Sequence, residues 1–405
     1  MSLSIPSDFI DSCVSLQEIR FTHNQARRIP KSIPSAPALT HLDLSHNRLE
    51  NLDHIDLTIL QHLISLKVAN NKLKEIPANI ISLKNLRVLD LSSNYFTEFP
   101  ALICELISLA DLDLSFNMIE GLPEGIGGLT ALSRFIITNN KLKNHFPASV
   151  SAMDSLREID CRFNALHNID VLATVPGLES LYCGHNTISA ISPASRFAKL
   201  RNFHMNKNPI TKLLLPIAPE PSRTILTYLN IAKAKLSALD EVIFDGLQNL
   251  ERLILDDNAF TALPYIGKLK KLQNLHCANN SLQTLPKEIG SMAALKVLDV
   301  HNNNLKSLPP EIWQVTTLEA LNVTSNLLSS FPKPPPAHSS FSSSNSGIGE
   351  ELTSSPSRET IAASRKNSNV SVGRMAKILS QESVTNSRKV SSASTMTSRI
   401  ANTIA

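Results

Sequence analysis

Aromatic side chains are scarce in this 405-residue chain: one Trp, four Tyr and fourteen Phe make up 5% of it, and there are only twelve glycines. A core with so few rings has to be built from aliphatic side chains. Charge of one sign is also lacking, with 39 Lys and Arg against 35 Asp and Glu, a formal net of +4. That bias is too small for a nucleic-acid surface, and no basic helix or aromatic–basic patch interrupts it. Residues Met1 to Cys13 contain neither a basic start nor an apolar stretch of the secretory kind. No run approaches the roughly 20 apolar residues of a membrane helix. The five cysteines, Cys13, Cys104, Cys161, Cys183 and Cys277, include no C-x-x-C pair. Phosphate-loop, nucleophile-elbow, H-E-x-x-H and dinucleotide-binding motifs are absent. The sequence therefore offers no catalytic residue, no cofactor site and no metal site. Its twelve histidines follow no ligand spacing, and His185, His204, His276 and His301 read best as solvated surface beside strands.

What the chain does have is a repeat. The template L-x-x-L-x-L-x-x-N-x-L starts at Leu39 (LTHLDLSHNRL), Leu63, Leu86, Leu109, Leu132, Leu156, Leu178 and Leu200. It resumes at Leu226, Leu250, Leu272, Leu295 and Leu318, and a weaker copy opens at Leu16. Self-similarity at a fixed period marks a solenoid, here of about fourteen leucine-rich repeats. Leu-x-Leu puts two apolar side chains on one side of a short strand; in the copy at Leu86 these are Leu89 and Leu91, with Asp90 and Ser92 outward. One repeat cannot bury its own apolar face, so neighbours stack as parallel strands.

Two further columns run along the repeat. One is asparagine: Asn24, Asn47, Asn71, Asn94, Asn117, Asn140, Asn164, Asn186, Asn208, Asn258, Asn280, Asn303 and Asn326. An amide here can pair with backbone groups where the chain turns inward. Ala234 breaks this column, so a weaker turn is expected there, after a spacing that is slightly long. The other is P-x-x-I-x-x-L, as in Pro77/Ile80/Leu83, Pro100/Ile103/Leu106, Pro123/Ile126/Leu129 and Pro309/Ile312/Val315. Apolar spacing of three with a leading proline predicts short 3₁₀ or α turns on the opposite side. The expected fold is an α/β solenoid, a curved parallel sheet on the concave side and short turns on the convex side. Cys161, Cys183 and Cys277 replace the second strand leucine and are expected in the core. Secreted leucine-rich repeats usually have disulfide-clustered end caps; neither end has one here, which predicts a cytoplasmic setting.

We expect a partial repeat or uncapped start over 1–15, the solenoid over 16–332, and a Pro/Ser/Thr-rich tail over 333–405. The tail has too few apolar residues to offset its ordering entropy and is expected to be disordered. Solenoids need polar caps and none is recognisable, which predicts a piece of a longer protein. Within the tail, Arg365-Lys366-Asn367-Ser368 and Arg388-Lys389-Val390-Ser391 both read R-K-x-S, making Ser368 and Ser391 candidate phosphorylation sites.

Function belongs on the hollow face, where outward strand positions form one surface. Asp43, Asp90, Asp111 and Asp113, with Lys67 between, make an acidic stretch; Asp is also ordinary consensus chemistry at this position. Arg134, Glu158, Asp160 and Arg162 follow. Then come Tyr182, His204, Asn206, Tyr228 and Arg252. Tyr and Arg are enriched at interface hot spots, so this last zone is the preferred protein-binding site.

The segments LKNLRVLDLSSNYFTEFP, LADLDLSFNMIEGLP, FAKLRNFHMNKNPITKL and LPPEIWQVTTLEALNVTSNLLSSFPKP resemble the leucine-rich-repeat region of fungal adenylate cyclase over about Leu16 to Pro336. That resemblance implies a segment that binds the GTP form of Ras and couples it to cyclic AMP synthesis. It implies recruitment through the partner to the inner face of the plasma membrane. No cyclase, phosphatase-like or Ras-association domain is present, so no catalytic residue carries over. The R-K-x-S sites resemble those preferred by cyclic-AMP-dependent kinase. The alternative is a stand-alone cytosolic scaffold of the Ras-binding or phosphatase-regulating class.

Overall fold

A computed structural model describes residues 13–334 apart from 14, 30–35, 37, 144, 192–196, 212–224 and 240. The tail with Ser368 and Ser391 lies outside the described residues.

Alternation of outward polar and inward aliphatic residues produces fourteen three-residue strands among the described residues. They are β1 Glu18–Arg20, β2 His41–Asp43, β3 Ser65–Lys67, β4 Val88–Asp90, β5 Asp111–Asp113, β6 Arg134–Ile136 and β7 Glu158–Asp160, then β8 Ser180–Tyr182, β9 Asn202–His204, β10 Tyr228–Asn230, β11 Arg252–Ile254, β12 Asn274–His276, β13 Val297–Asp299 and β14 Ala320–Asn322. Each pairs in parallel with its sequence neighbours, so strand order is chain order. The register never slips: Leu89 faces Leu66 and Leu112 across the ladder. A slip of one residue would turn every strand leucine toward solvent.

Inside the sheet lies one continuous hydrophobic core in which Leu89, Leu91, Leu112 and Leu114 are all buried. It is not purely aliphatic, as the scarcity of rings had suggested, since phenylalanines such as Phe96, Phe135 and Phe203 are buried in it as well. Cys161, Cys183 and Cys277 are fully buried there, as their positions predict, and burial pushes all three thiols well above their ordinary pKa. Opposite the strands run 3₁₀ turns such as Ala78–Ser82, Ala101–Glu105 and Glu124–Gly128, preceded by Pro77, Pro100 and Pro123. Each proline sits extended before its turn, and Ile80, Ile103 and Ile126 point into the core.

These turns pack closely where glycine allows it. A Cβ on Gly127 would lie 2.5 Å from the Ser149 carbonyl oxygen on the next turn. That oxygen belongs to the backbone and cannot swing aside. Gly127→Ala should therefore cost about 1–3 kcal/mol of overpacking strain, read as a lower midpoint in urea. An unchanged midpoint would show that the turns tolerate separation.

The asparagine column is a hydrogen-bonded ladder. The Asn71 amide donates to the carbonyls of Leu44 (3.1 Å), Val68 (3.0 Å) and Ala69 (3.2 Å), while its oxygen accepts from the Leu49 N–H at 3.0 Å. Asn94, Asn117 and Asn303 repeat the pattern. Among the described residues Asn24, in the first repeat, donates only to the Thr22 carbonyl. At Ala234 the chain compensates from the next repeat: Asn258 Oδ1 accepts from both Ala234 N–H (3.0 Å) and Leu236 N–H (3.1 Å). Flanking Lys233 and Lys235 both adopt positive φ, so the turn has changed shape while Ala234 stays buried.

The residue just before each asparagine has positive φ in every repeat, from His23 (57°) to Ser325 (55°). The left-handed region excludes β-branched side chains. Accordingly His, Asn, Ser, Phe, Lys and Asp fill these thirteen positions and the equivalent one before Ala234, Lys233, and none is Val, Ile or Thr.

Candidate protein interface

The hollow face is built from three outward positions per repeat, and the structure sorts the predicted residues into three groups. The first is committed to the backbone. Asp43, Asp90 and Asp113 each accept the N–H two residues on, from Ser45 (3.0 Å), Ser92 (3.0 Å) and Ser115 (2.8 Å). Asn230 and Asn322 do the same for Ala232 and Thr324. These carboxylates close the end of a strand, which an uncharged amide does equally well. Burial raises the pKa of Asp113, so its charge is costly where it sits.

The second group is ion-paired. Arg134 lies between Asp111 (3.4 Å) and Glu158 (3.3 Å) on the strands either side. Arg162 grips both oxygens of Asp160, at 2.9 and 2.6 Å. Neighbouring charges here largely cancel.

The third group is a ribbon. The Arg162 guanidinium carbon lies 5.5 Å from the Tyr182 ring centre. Tyr182 meets His204 at 4.6 Å, His204 stacks on Tyr228 at 4.3 Å, and Arg252 lies over Tyr228 at 5.9 Å. Five side chains from five repeats thus run diagonally, from just beyond the end of β7 to the start of β11. Ring separations of this size are those of favourable aromatic pairs, and the guanidinium distances suit cation–π contact. Beside the ribbon, a Cβ on Gly184 would meet Asn206 Oδ1 at 2.7 Å. The missing side chain leaves room for Asn206 to lie against Gly184, just past the end of β8.

Desolvation by the ribbon pushes the His204 pKa down to about 4, reinforced by Arg162 and opposed by Asp160. His204 is therefore neutral at physiological pH. Its folded value lies below the unfolded one, so its contribution is complete above about pH 6.5 and is lost as pH falls toward 4.

Further along the face, Asp256 accepts the Ala278 N–H at 2.7 Å, and burial lifts its pKa to about 6, with repulsion from Asp299 and Asp257 adding to the rise. A carboxyl raised on folding costs stability progressively as pH climbs from about 4 to about 6, and the cost is constant above that. Asp256→Asn keeps the acceptor and removes the charge. It should stabilise the fold by about 1–3 kcal/mol at pH 7.5 and by little at pH 4. Melting curves at the two pH values check this; equal gains at both would place the effect in packing.

Three aromatic residues were not anticipated from the sequence. Tyr95, Phe116 and Phe163 are exposed; Phe116 and Phe163 belong to the positive-φ column, and Tyr95 immediately follows the ladder residue Asn94. The signal available was the identity of the residue before each asparagine, which no spacing rule had singled out. Among the described residues no group of three or more His, Cys, Asp or Glu could hold a metal ion, and no helix is long and apolar enough to cross a membrane.

Comparison with known proteins agrees with this architecture. Residues 15–259 match the model of the leucine-rich repeat region, and residues 270–328 match a second leucine-rich repeat model. The adenylate cyclases of Podospora anserina and Neurospora crassa are 40% and 43% identical, each over 65% of this chain. The chain spans only 12% and 11% of their lengths. A leucine-rich-repeat protein of Leptospira interrogans has the same architecture, with a TM-score of 0.72 at 29% identity over 79% of this chain and 81% of that one. The two family models match repeats and no catalytic domain; the chain belongs to the leucine-rich-repeat family, and its repeats are similar to those of fungal adenylate cyclases.

Proposed function

We propose that this solenoid is a regulatory segment whose hollow face binds a small GTPase of the Ras type, coupling it to cyclic AMP synthesis by a cyclase of the fungal kind. The observation that carries the reading is the ribbon from Arg162 to Arg252. It is rich in the residue types that dominate interface energetics, and it is already ordered before any partner arrives. The partner class is taken from what the sequence resemblance to fungal adenylate cyclases implies. In this reading the solenoid over 16–332 is the binding unit and works in the cytoplasm, drawn to the inner membrane face through its partner. The tail over 333–405 carries feedback phosphorylation at Ser368 and Ser391.

Titration calorimetry of the purified chain against GTP-loaded and GDP-loaded Ras-type GTPase tests the proposal. Binding at least about tenfold tighter to the GTP form is expected, a difference of about 1.4 kcal/mol. Equal affinity for the two forms, or no binding, rejects it. For the tail, unchanged phosphorylation of Ser368 and Ser391 under inhibition of cyclic-AMP-dependent kinase removes the feedback role.

A further inference from the structure

Along one rim of the hollow the positive-φ residues form a column fixed by the backbone. Phe116 N–H donates to the Thr138 carbonyl (2.9 Å), Asn139 to Arg162 (3.0 Å), Phe163 to Gly184 (3.1 Å), His185 to Asn206 (2.9 Å) and Lys207 to Ala232 (2.7 Å). Each bond joins one repeat to the next, so the side chains are carried at the pitch of the sheet.

Two of these side chains are phenyl rings that the core does not take up. Phe116 is 58% exposed and Phe163 43% exposed. They stand two repeats apart, about 10 Å by strand spacing, with half-buried Asn139 between them. Phe163 is also held in place, stacked on His185 with ring centres 3.9 Å apart. Exposed rings on a rigid frame lose little entropy on binding, which suits them as anchors.

The charges around the rings are unbalanced. Lys143 is held by Glu120 at 2.8 Å and Lys233 is within 3.6 Å of Asp257. Among the described residues Lys141, whose charge acts together with that of Lys143 on the one carboxylate of Glu120, and Lys207, which follows His185 in the column, are exposed and form no such ion pair. The positive field is felt locally: His185 is pushed down to about 4 by burial first, then by Lys207, Arg162 and Lys233.

We infer that this rim docks an acidic protein segment bearing aromatic side chains, its rings seated against Phe116 and Phe163 and its carboxylates directed to Lys141 and Lys207. The inference rests on reading the solenoid as a protein-binding scaffold. Cations alone would take any anion, and exposed rings alone any apolar surface. Carried along the same rim, they select a segment that carries both.

The test uses the full chain and a random copolymer of glutamate and tyrosine, with polyglutamate as the comparison. The copolymer should bind at least about fivefold tighter than polyglutamate, the scale of one hot-spot contact. Phe116→Asn with Phe163→Asn should abolish that preference. Asn occupies the same column at Asn70 and Asn139 with the same φ, so the variant keeps the fold. Lys141→Glu with Lys207→Glu should weaken both polymers. Equal binding of the two polymers by the wild type overturns the inference, as does a preference that survives the Phe→Asn changes. No GTPase enters this titration, so it stands or fails separately from GTPase binding.

Discussion

Asn117→Ala should lower the stability of the solenoid by roughly 3–5 kcal/mol, a large effect for a side chain outside the hydrophobic core and one it shares with the equally bonded ladder positions. The amide nitrogen of Asn117 donates to Leu91 (3.1 Å), Leu114 (3.0 Å) and Ser115 (3.2 Å), and its oxygen accepts from the Phe96 N–H at 3.1 Å. Asn117 is only 7% exposed, so water cannot replace it. Truncation therefore leaves up to four backbone groups short of a partner. Losing a buried partner costs more than a hydrogen bond contributes when both groups can return to water. A second variant separates polarity from volume: Asn117→Asp keeps the acceptor for Phe96 but loses all three donations and adds a buried charge, so it should be at least as damaging. Urea denaturation measures both. A loss below about 1 kcal/mol in the alanine variant would mean that the turn re-forms, as it has around Ala234.

The chain's own exception explains why that outcome is not expected at Asn117. Ala234 survives because Asn258 accepts two N–H groups in place of one and because two lysines adopt positive φ around it. The repeat that begins at Leu200 is also longer than its neighbours. Around Asn117 spacing is regular on both sides, and the next ladder member, Asn140, already accepts the Ile119 N–H and donates to Leu114. It has no spare acceptor aimed at Phe96.

Strand positions, parallel order, the asparagine ladder and the proline-led turns were legible because each depends on spacing within about one repeat. Leu89 is buried for the same local reason in every copy. The hollow face was legible only in part. Asp43, Asp90 and Asp113 read as an acidic surface because sequence shows residue type and facing, whereas hydrogen bonding decides what the carboxylate does. Each turned out to accept an N–H two residues along. The positive-φ column was missed because hydrophobic periodicity carries no information about backbone sign. Its trace in the sequence is negative, the lack of any β-branched residue before the thirteen asparagines or before Ala234. The diagonal of Arg162, Tyr182, His204, Tyr228 and Arg252 was legible as a zone but not as a stack. Contact between Tyr228 and His204 joins different outward positions on adjacent strands, since Tyr228 faces Asn202 in register and not His204.

That offset sets the second large effect. Tyr228→Ala should weaken GTPase binding by about 2 kcal/mol or more, around thirtyfold, while Asp43→Ala changes it little. Tyr228 is the joint of the ribbon: it touches His204 on one side and carries Arg252 on the other. Removing its ring frees the guanidinium and leaves the His204 imidazole without the ring stacked on it, with only the tilted Tyr182 remaining. Tyr228→Phe separates the ring from the hydroxyl and should retain most of the affinity if stacking is what counts. His204→Gln should fall between, because it breaks the ribbon in the middle but leaves both arginines on their tyrosines. The variants expose no new core, since Leu229 beneath remains buried between Phe203 and Leu253 in register. A Tyr228→Ala protein that melts like the wild type and binds with unchanged affinity would move the interface off the ribbon altogether. A loss confined to Asp43→Ala would place the partner at the acidic end, where the structure has given the carboxylates other work.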